Sequence, residues 1–579
     1  MRRGGQPPDS QTLARLGQAL QHRGPDGTRQ HIAGPVGLVH TRLAIIDLET
    51  GDQPLHGPDG LTLIANGEIY NYRALRAALG QHRFHSQSDC EPPLYAYADA
   101  LEAGLDRLRG MYALALHDPM RGRLVLARDP FGIKPLYYSE TPAGLAFASE
   151  PQALIAAGLA SSALTSEKSV ELLQAQFTRG PQTIFRDIRR VLPGETLTVE
   201  DGRIAARRHR PALPAGGPRM QTEADALADL EQVLGDSVRL HLQSDVGYGL
   251  FLSGGIDSGI LLALMSREAG QPVQAYTAGF PGTGAHDERD SARTIAEHFG
   301  AVHHEIPFTE ADFWSLLPQV AAALDDPAAD YATLPTFKLA AMAAQDQKVV
   351  LSGEGGDELF AGYGRYRAAI RPWWRGRKLP LRRGLLRNAG ILRTDTWNGR
   401  RQLALLEQEI PQGERSRLQH FQELDCAEWL PNDLLIKLDR CLMAHGLEGR
   451  TPFVDAEVAA FAFALPDDLK IRSGKGKWLL RTLLEKLAPG MGAFAPKRGF
   501  TVPVAEWIAG RGGSLGDLVA RQPGIAELCR PDAVRAVFRT TGKRAGQAAW
   551  ALLFYALWHE IHVCGKQPAA TPEETLAQP

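Results

Sequence analysis

The stretch Gly249-Leu250-Phe251-Leu252-Ser253-Gly254-Gly255-Ile256-Asp257-Ser258 constrains this chain most, because it predicts a strand, a glycine turn and a helix in direct succession. Gly249 to Leu252 is typical of a short buried strand, and the apolar run from Ile260 to Met265 is typical of a helix. Glycines let backbone N–H groups approach an oxyanion closely, and a helix N-terminus favours negative charge. The hydroxyls of Ser253 and Ser258 can add donors. The stretch therefore predicts an anion-binding site.

Asp257 adds a condition to this site. A carboxylate repels a phosphate, so Asp257 fits there only if a divalent cation lies between the two groups. The lysine of the Walker phosphate loop is missing, so the stretch is not a loop of that kind. The string Ser-Gly-Gly-Ile-Asp-Ser resembles the pyrophosphate-binding loop of the ATP pyrophosphatase family, enzymes that cleave ATP into AMP and pyrophosphate. The resemblance implies ATP and Mg²⁺ as ligands and these ATP-binding residues: Leu252, Ser253, Gly254, Gly255, Asp257, Ser258 and Ala278.

A second predicted strand ends in glycine and acidic residues, between Val349 and Phe360. Ligands of parallel sheets bind at the carboxyl ends of the strands, so we expect this turn beside the Ser253 loop. A solvated acidic loop is the alternative, and the presence of two such loops in one sheet argues against it. The turn supplies further candidates: Ser352 and Gly353 for ribose and α-phosphate, Asp357 as the second magnesium carboxylate, and Glu354 as a catalytic carboxylate near the reacting phosphate.

The composition is that of a soluble globular protein. The chain has 579 residues, of which 44% are hydrophobic and 22% are charged, and its net charge is −2. This length predicts several domains, and the near-neutral charge indicates neither a nucleic-acid nor a membrane partner. The five cysteines are scattered without paired spacing, which argues against a disulfide framework and favours a reducing cytoplasm. The sequence leaves a homodimer open.

The region up to about residue 205 has short apolar runs separated by turns, which predicts an α+β domain with much antiparallel sheet. Five motifs follow one another there and resemble the glutamine amidohydrolase domain of asparagine synthetases: His22 to Gly27, Arg42 to Asp47, Asn66 to Asn71, Ser88-Asp89 and Arg128 to Tyr138. The resemblance implies a four-layer sandwich of the N-terminal-nucleophile class. It also implies glutamine as a substrate.

The residue types in these motifs suit a glutamine pocket. Arg42 can hold the α-carboxylate of glutamine as a bidentate fork, and Glu68 and Asp89 can hold its ammonium. The Asn66 side-chain amide and the Gly67 N–H can form an oxyanion hole, which makes both residues catalytic candidates. Asn66-Gly67 alone would indicate a hairpin turn, and the neighbouring motifs favour the functional interpretation.

The beginning of the sequence departs from the family pattern. Family members begin Met-Cys-Gly-Ile, and removal of the Met exposes the cysteine that attacks glutamine. This sequence begins Met1-Arg2-Arg3, so the first strand and the cysteine are missing. Cys90 has no free α-amino group to act as its base, and we do not expect it to substitute. Two explanations stay open: a true start that lies upstream, which the retained Arg42 and Asp89 favour, or an inactive glutaminase half.

A Pro- and Gly-rich linker is predicted at 206–222, and helices and strands alternate through 223–566. The alternation predicts an α/β domain with a parallel sheet. Its motifs resemble the ATP-binding domain of asparagine synthetases as far as Pro496 to Phe500. Residues 567–579 are predicted to be a disordered tail.

Two further features of this half bear on activity. The resemblance makes Lys477 a catalytic residue that contacts the reacting carboxylate and phosphate, with a solvated helix lysine as the alternative. Gly446 and Gly449 stand where family members commonly have Ser and Val, and each would weaken a helix by roughly 1 kcal/mol if it lay in a helix interior.

The resemblance covers nearly the whole chain and implies an ATP-dependent amide formation on aspartate through a β-aspartyl-AMP intermediate. Glutamine supplies the ammonia, and asparagine, AMP and pyrophosphate are the products. Three alternatives stay open: an amidotransferase of the same fold for another carboxylate, such as a peptide or surface-polysaccharide precursor; a ring closer like the β-lactam synthetases; and a non-catalytic nucleotide sensor. The Gly446 and Gly449 differences keep the first open. The glutamine pocket and Glu354 argue against the second, and Asp257 and Asp357 argue against the third.

Overall fold

The computed structural model describes residues 1–579 except 284–286, 372–383, 396, 399–413 and 497–501. All but the first residue of the Pro496 to Phe500 motif lies outside the described residues. Two domains follow each other, one with antiparallel sheets and one with a five-stranded parallel sheet. Within the described residues, no helix is long and apolar enough to cross a membrane.

A six-stranded antiparallel sheet is the centre of the first domain, with the strand order β11-β10-β6-β5-β4-β3. A hairpin, β1-β2, and a small sheet, β8-β7-β9, lie against it. Asn66 and Gly67 lie inside β4 opposite Ala113 and Tyr112, so they do not form a hairpin turn. The strands are β1 Gly27–Ala33, β2 Val36–Arg42, β3 Leu55–His56, β4 Thr62–Ile69, β5 Gly110–Asp118, β6 Arg123–Arg128, β7 Tyr137–Thr141, β8 Gly144–Ala148, β9 Arg189–Arg190, β10 Glu195–Glu200 and β11 Arg203–His209.

Alternating residues of the central strands bury both faces of this sheet. Tyr112 and Leu114 of β5 pack toward two helices, whereas Ala113 and Ala115 pack toward β2, β7 and β8. Two more helices cover the far side of that second layer. The predicted four-layer α+β sandwich is therefore confirmed. The helices are α1 Ser10–Ala19, α2 Tyr72–Leu79, α3 Pro92–Ala100, α4 Pro151–Ala156 and α5 Ser166–Ala175, with α2 and α3 on one outer face and α1 and α4 on the other.

The first residues of the sequence lie between β2 and β8. The Arg2 N–H donates to the Pro35 carbonyl at 2.9 Å, and the Leu145 N–H donates to the Met1 carbonyl at 3.0 Å. The Met1 α-amine donates to the Leu145 carbonyl at 2.7 Å. Burial, with a smaller contribution from the charge of Arg2, lowers the pKa of this amine to about 5. Beyond these contacts, the facing edges of β2 and β8 border a cavity.

The second domain is built on a parallel sheet with the strand order β14-β13-β12-β15-β16, which confirms the predicted α/β class. The strands are β12 Tyr248–Phe251, β13 Gln274–Gly279, β14 Val302–Pro307, β15 Val349–Leu351 and β16 Glu448–Arg450, followed by a small hairpin, β17 Ile471–Arg472 and β18 Lys475–Gly476. Its helices are α6 Glu223–His241, α7 Ile256–Glu268, α8 Arg289–His298, α9 Glu310–Ala323, α10 Thr333–Ala343, α11 Gly356–Leu359, α12 Gly364–Ala369, α13 Arg417–Leu424, α14 Leu435–Met443, α15 Ala456–Ala464, α16 Asp467–Lys470 and α17 Trp478–Leu487.

The domain limits differ in part from the predicted ones. β11 continues to His209, so the predicted domain end at 205 and the linker start at 206 fall inside a strand. β11 pairs with β10 through Glu195 to His209, and the prolines and glycines from which the linker was inferred begin only after this strand, at Pro211. α6 begins at Glu223, where the Thr222 side chain accepts the Asp225 N–H as an N-cap.

The prediction of a disordered tail is wrong for its central part. Residues Pro572–Ala577 form a helix whose Thr571 side chain accepts the Glu574 N–H. Leu576 and Thr575 are buried, because the helix packs against α9 and the C-terminal helices. Burial of one leucine and a capped helix start outweigh the polar composition. The C-terminal helices are α18 Val504–Gly510, α19 Gly512–Ala520, α20 Pro523–Leu528, α21 Pro531–Arg539, α22 Lys543–His562 and α23 Pro572–Ala577.

Buried ion pairs join the two domains. Arg23 binds the Asp439 carboxylate with both terminal nitrogens, at 2.7 and 2.9 Å. Arg190 also makes a two-point contact, in which its Nε and Nη2 donate to the Asp326 carboxylate at 2.8 and 2.7 Å. Because two-point guanidinium–carboxylate contacts fix direction as well as distance, these pairs define how one domain sits on the other.

Candidate active sites

A cavity of about 450 Å³ in the first domain brings together the residues predicted to bind glutamine. Arg42, Asn66, Gly67, Glu68 and Asp89 all line it. The cavity extends from the edges of β2 and β8 to the second domain, whose Met443 and Glu448 also line it. The pocket is therefore bordered by both domains.

Arg42 ends β2 and is held at the cavity wall. Its Nη1 donates to the Asp52 carboxylate at 2.8 Å, and its Nη2 donates to the Ile46 carbonyl at 3.3 Å and to the Asp47 carbonyl. These contacts orient the guanidinium, although Asp52 already neutralises part of its charge. A ligand carboxylate would share Arg42 with Asp52.

Asn66 and Gly67 present polar backbone and amide groups to the same cavity. The Asn66 Nδ2 is buried and has no hydrogen-bond partner among the described residues. An unpaired buried donor is costly, so this amide indicates a ligand acceptor. Gly67 has a φ of +143°, and a Cβ there would lie 2.0 Å from the Met111 carbonyl oxygen, so this position requires glycine.

Glu68 and Asp89 are buried acids with different partners. The Glu68 carboxylate forms an ion pair with Arg450 of the second domain at 2.9 Å. Asp89 accepts the Ile69 N–H at 2.7 Å. Burial raises the pKa of Asp89 to about 6 and raises the pKa of Glu68 despite the opposing effect of Arg450. The sequence predicts both acids as partners of a ligand ammonium, and the structure adds that Glu68 already has a cationic partner.

Cys90 is the cysteine that lines the cavity. Its thiol donates to the Gly67 carbonyl at 3.6 Å and to the Asp89 carboxylate at 3.5 Å. Burial, and then the charge of Asp89, raise the pKa of Cys90 well above its ordinary value. Because the thiolate is the nucleophilic form, this environment does not suit Cys90 for attack on an amide.

The Ser253 loop connects β12 to α7, as predicted. The Ser258 hydroxyl accepts the Ser253 N–H at 3.2 Å, and the two hydroxyl oxygens lie 3.1 Å apart. The Thr277 hydroxyl donates to the Leu252 carbonyl and thereby links the loop to β13 beside Ala278. Leu252, which follows β12, and Ala278, which lies in β13, are therefore both next to the Ser253 loop. Both are predicted ATP-binding residues.

The Ser352 loop leaves β15 directly beside the Ser253 loop. A Cβ at Gly353 would lie 3.0 Å from the Asp257 Cβ and 3.4 Å from the Ser258 backbone nitrogen. The two loops therefore touch at the carboxyl ends of adjacent strands, as the sheet geometry predicts.

Lys477 joins the acidic residues of the two loops. Its ammonium forms an ion pair with Asp357 at 2.8 Å and another with Asp257. The side chain is 3% exposed, so the alternative of a solvated helix lysine is wrong. Burial alone would lower the pKa of Lys477, but the carboxylates of Asp257 and Asp357 outweigh it and raise this pKa. The ammonium therefore stays charged between two carboxylates.

Lys437 and Asp330 complete the site around Glu354. The Lys437 ammonium lies 3.5 Å from the Glu354 carboxylate and 3.4 Å from that of Asp330. Neither residue was predicted from the sequence as a functional residue. The available signal is a lysine among the apolar residues 434–438, and this lysine is buried on α14.

Family models match both domains of the chain. The model of the asparagine synthase family matches residues 229–560, and that of the glutamine amidotransferase domain matches residues 3–210. A putative glutamine-hydrolysing asparagine synthetase of Mycobacterium tuberculosis is 35% identical over 95% of this chain and 94% of its own length. Asparagine synthetase 1 of Bacillus subtilis is 31% identical over 98% and 96%, and asparagine synthetase B of Escherichia coli is 30% identical over 85% and 79%.

One solved structure, a glutamine phosphoribosylpyrophosphate amidotransferase of B. subtilis, matches with 18% identity over 52% of this chain and 64% of its own, at a TM-score of 0.27. That score is too low for a residue-by-residue comparison.

The fold and the two sites define an amidotransferase domain joined to a ligase with a nucleotide-binding parallel sheet. The matched models occupy these two domains in the same order, and the relatives align over almost the full chain. The chain belongs to the family of glutamine-hydrolysing asparagine synthetases, which are ligases.

Proposed function

We propose that this enzyme makes asparagine from aspartate, with nitrogen from glutamine or ammonia, and cleaves ATP to AMP and pyrophosphate. The observation that carries the proposal is the meeting of Asp257, Asp357 and Lys477 between two touching strand-terminal loops. Family membership supports the glutamine-dependent synthesis of asparagine and the use of ATP. The adenylate route is our inference from the resemblance of the Ser253 loop to the loop of the ATP pyrophosphatases.

The residues present fit a magnesium ion. Asp257 and Asp357 converge on one cation, the Lys477 ammonium, and carboxylate oxygens are the ligands that Mg²⁺ prefers. We propose that both aspartates would hold Mg²⁺ when ATP is bound, and that Lys477 would offer its ammonium to the phosphates. The ion would offset the charge of the pyrophosphate leaving group.

The chain's own residues would act in two steps. In the first, N–H groups and hydroxyls of the Ser253 loop bind the β- and γ-phosphates, while Ser352 and Gly353 hold the ribose and α-phosphate. A β-carboxylate oxygen of aspartate forms a bond to the α-phosphorus as the bond to the β-phosphate oxygen breaks. Lys477 stabilises the charge that develops on the phosphates.

In the second step, ammonia attacks the acyl carbon of β-aspartyl-AMP, and AMP leaves with the former carboxylate oxygen. The nitrogen loses a proton in this step. Glu354, which is paired with Lys437, is the carboxylate that we propose receives it.

The charges around the glutamine pocket support an ammonium ligand. Glu68, Asp89 and Glu448 are three buried carboxylates, and Arg450 and Lys134 are two buried cations that contact them. When all five are ionised, one negative charge is left, which the α-ammonium of glutamine would balance. Arg42 would bind the α-carboxylate, and Asn66 and Gly67 would face the side-chain carbonyl.

The two glycine differences do not support a different acceptor. Gly446 has a φ of +63° just after α14, and Gly449 lies in β16. Neither is interior to a helix, so the expected loosening of a helix does not arise. The proposal therefore keeps aspartate as the acceptor.

Pyrophosphate release in the presence of ATP, Mg²⁺ and ammonium, measured against a panel of carboxylates, tests this assignment. We expect release with aspartate and much less with glutamate, β-alanine or N-acetylaspartate. Asp257→Asn should abolish release and keep the fold. Wild-type turnover of that variant at saturating Mg²⁺, or a preference for another carboxylate, would contradict the assignment.

A further inference from the structure

Arg450 belongs to both candidate sites through different parts of the same residue. It is the last residue of β16 and lies opposite Leu351, the last residue of β15. Its carbonyl accepts the Ser352 N–H at 2.8 Å, which fixes the first residue of the Ser352 loop. Its side chain extends the other way, into the interface with the first domain.

The Arg450 side chain is fully buried, at 0% exposure, and is held at several points. Its Nε donates to the Glu448 carboxylate at 2.9 Å, and its Nη1 donates to the His241 and Gln243 carbonyls at 2.8 and 2.7 Å. Its Nη2 lies 2.9 Å from a Glu68 carboxylate oxygen, an ion pair without the geometry of a hydrogen bond. The second domain thus fixes the guanidinium, and the charge of the guanidinium attracts an acid of the glutamine pocket.

We propose that Arg450 is a positioning residue that couples the glutamine pocket to the nucleotide loop, by orienting Glu68 with its side chain and Ser352 with its carbonyl. The inference rests on the proposed function of the two sites. A glutamine ammonium that binds Glu68 competes with Arg450 for one carboxylate, so binding changes the restraint on Arg450 and on the Ser352 N–H. By linkage, a nucleotide that orders the Ser352 loop changes glutamine affinity by the same factor.

The coupling is measured as the ratio of glutamine dissociation constants without and with a saturating non-hydrolysable ATP analogue and Mg²⁺. Calorimetry on the full chain gives both values. We expect a ratio that differs from one by about fivefold or more, the lower end of typical site–site couplings. Arg450→Lys keeps the charge but cannot make four separate contacts, and it should bring the ratio close to one.

Arg109→Lys is the matched control. Arg109 also joins the domains through a two-point pair with Asp455, at 2.8 Å for each nitrogen, and lines neither site. If Arg450→Lys changed the ratio of glutamine dissociation constants only because it loosened the domain interface, Arg109→Lys would change this ratio as well. The account requires that Arg109→Lys keep the wild-type ratio.

A second variant tests the coupling independently, in case Arg450→Lys does not fold. Glu68→Gln keeps the volume of the side chain but removes its charge, and it should weaken glutamine binding and also abolish the coupling. A wild-type ratio of one, or a ratio that survives in Arg450→Lys and in Glu68→Gln, would overturn the inference. If neither glutamine nor the ATP analogue binds the wild-type chain, the proposed function is contradicted as well. If both bind but do not affect each other, only the coupling is contradicted.

Discussion

Replacement of Lys477 by Met gives a direct test of the metal site. The variant keeps a long side chain but removes the ammonium between Asp257 and Asp357, so two carboxylates face each other without their cation. Loss of one partner from a fully buried pair costs roughly 3–5 kcal/mol. Because the two carboxylate side chains are 17% and 21% exposed, water reduces this cost, and we expect about 1–3 kcal/mol.

The assay is thermal unfolding with and without Mg²⁺. At about 2.1 cal/mol/K per residue, that loss corresponds to a decrease of about 1–4 °C in the unfolding midpoint of the second domain. Mg²⁺ should restore the midpoint, because the ion then binds the two carboxylates without competition from the ammonium. Synthetase activity should be lost in either case.

Lys486→Met is the control, since Lys486 lies on α17, the helix that begins directly after Lys477, and pairs with Glu231 at the surface. It should change neither the midpoint nor its response to Mg²⁺. An unchanged midpoint in Lys477→Met, or a decrease that Mg²⁺ does not reverse, would refute the reasoning that both aspartates form a cation site.

Three further predictions concern the first domain. Arg42→Ala should weaken glutamine binding by roughly 1.5–3 kcal/mol, because a charge-assisted contact is lost, and leave ammonium-dependent synthesis unchanged; calorimetry and pyrophosphate release check the two parts. Glutamine affinity should fall as the pH drops through about 6, because the raised pKa of Asp89 means that its carboxylate is present above that pH and is protonated below it; Asp89→Asn should bind weakly without this step. Cys90→Ser should alter neither glutamate release nor ammonium-dependent activity, since burial and the charge of Asp89 raise the pKa of the Cys90 thiol; glutamate release that Cys90→Ser abolishes would contradict this.

The local sequence predicted the structure correctly where the residues that contact each other are also close together in the chain. The Ser253 and Ser352 loops are of this kind, because strand, turn and helix follow directly and parallel strands align their carboxyl ends. The continuous apolar run of β5 likewise predicts a strand with two buried faces. The α+β and α/β classes of the two domains followed from such patterns, whereas the four-layer arrangement was implied by the family resemblance.

Long-range partners were not predictable in this way. Nothing near Glu68 in the sequence indicates that Arg450 is its partner, and nothing near Lys437 indicates that Glu354 and Asp330 are its partners. The tail shows the same limit, because its composition is polar while Leu576 is buried by helices far away in the sequence. In each case, burial by distant elements decides the environment of the residue.

Aspartate labelled with heavy oxygen in its β-carboxylate tests the central claim most directly. In the proposed route a carboxylate oxygen bonds to the α-phosphorus and leaves with AMP. The account predicts one labelled oxygen in AMP for each asparagine formed with ATP, Mg²⁺ and ammonium, and no transfer in Asp257→Asn. Asparagine formed with unlabelled AMP, or with ADP and labelled phosphate as the products, would contradict it.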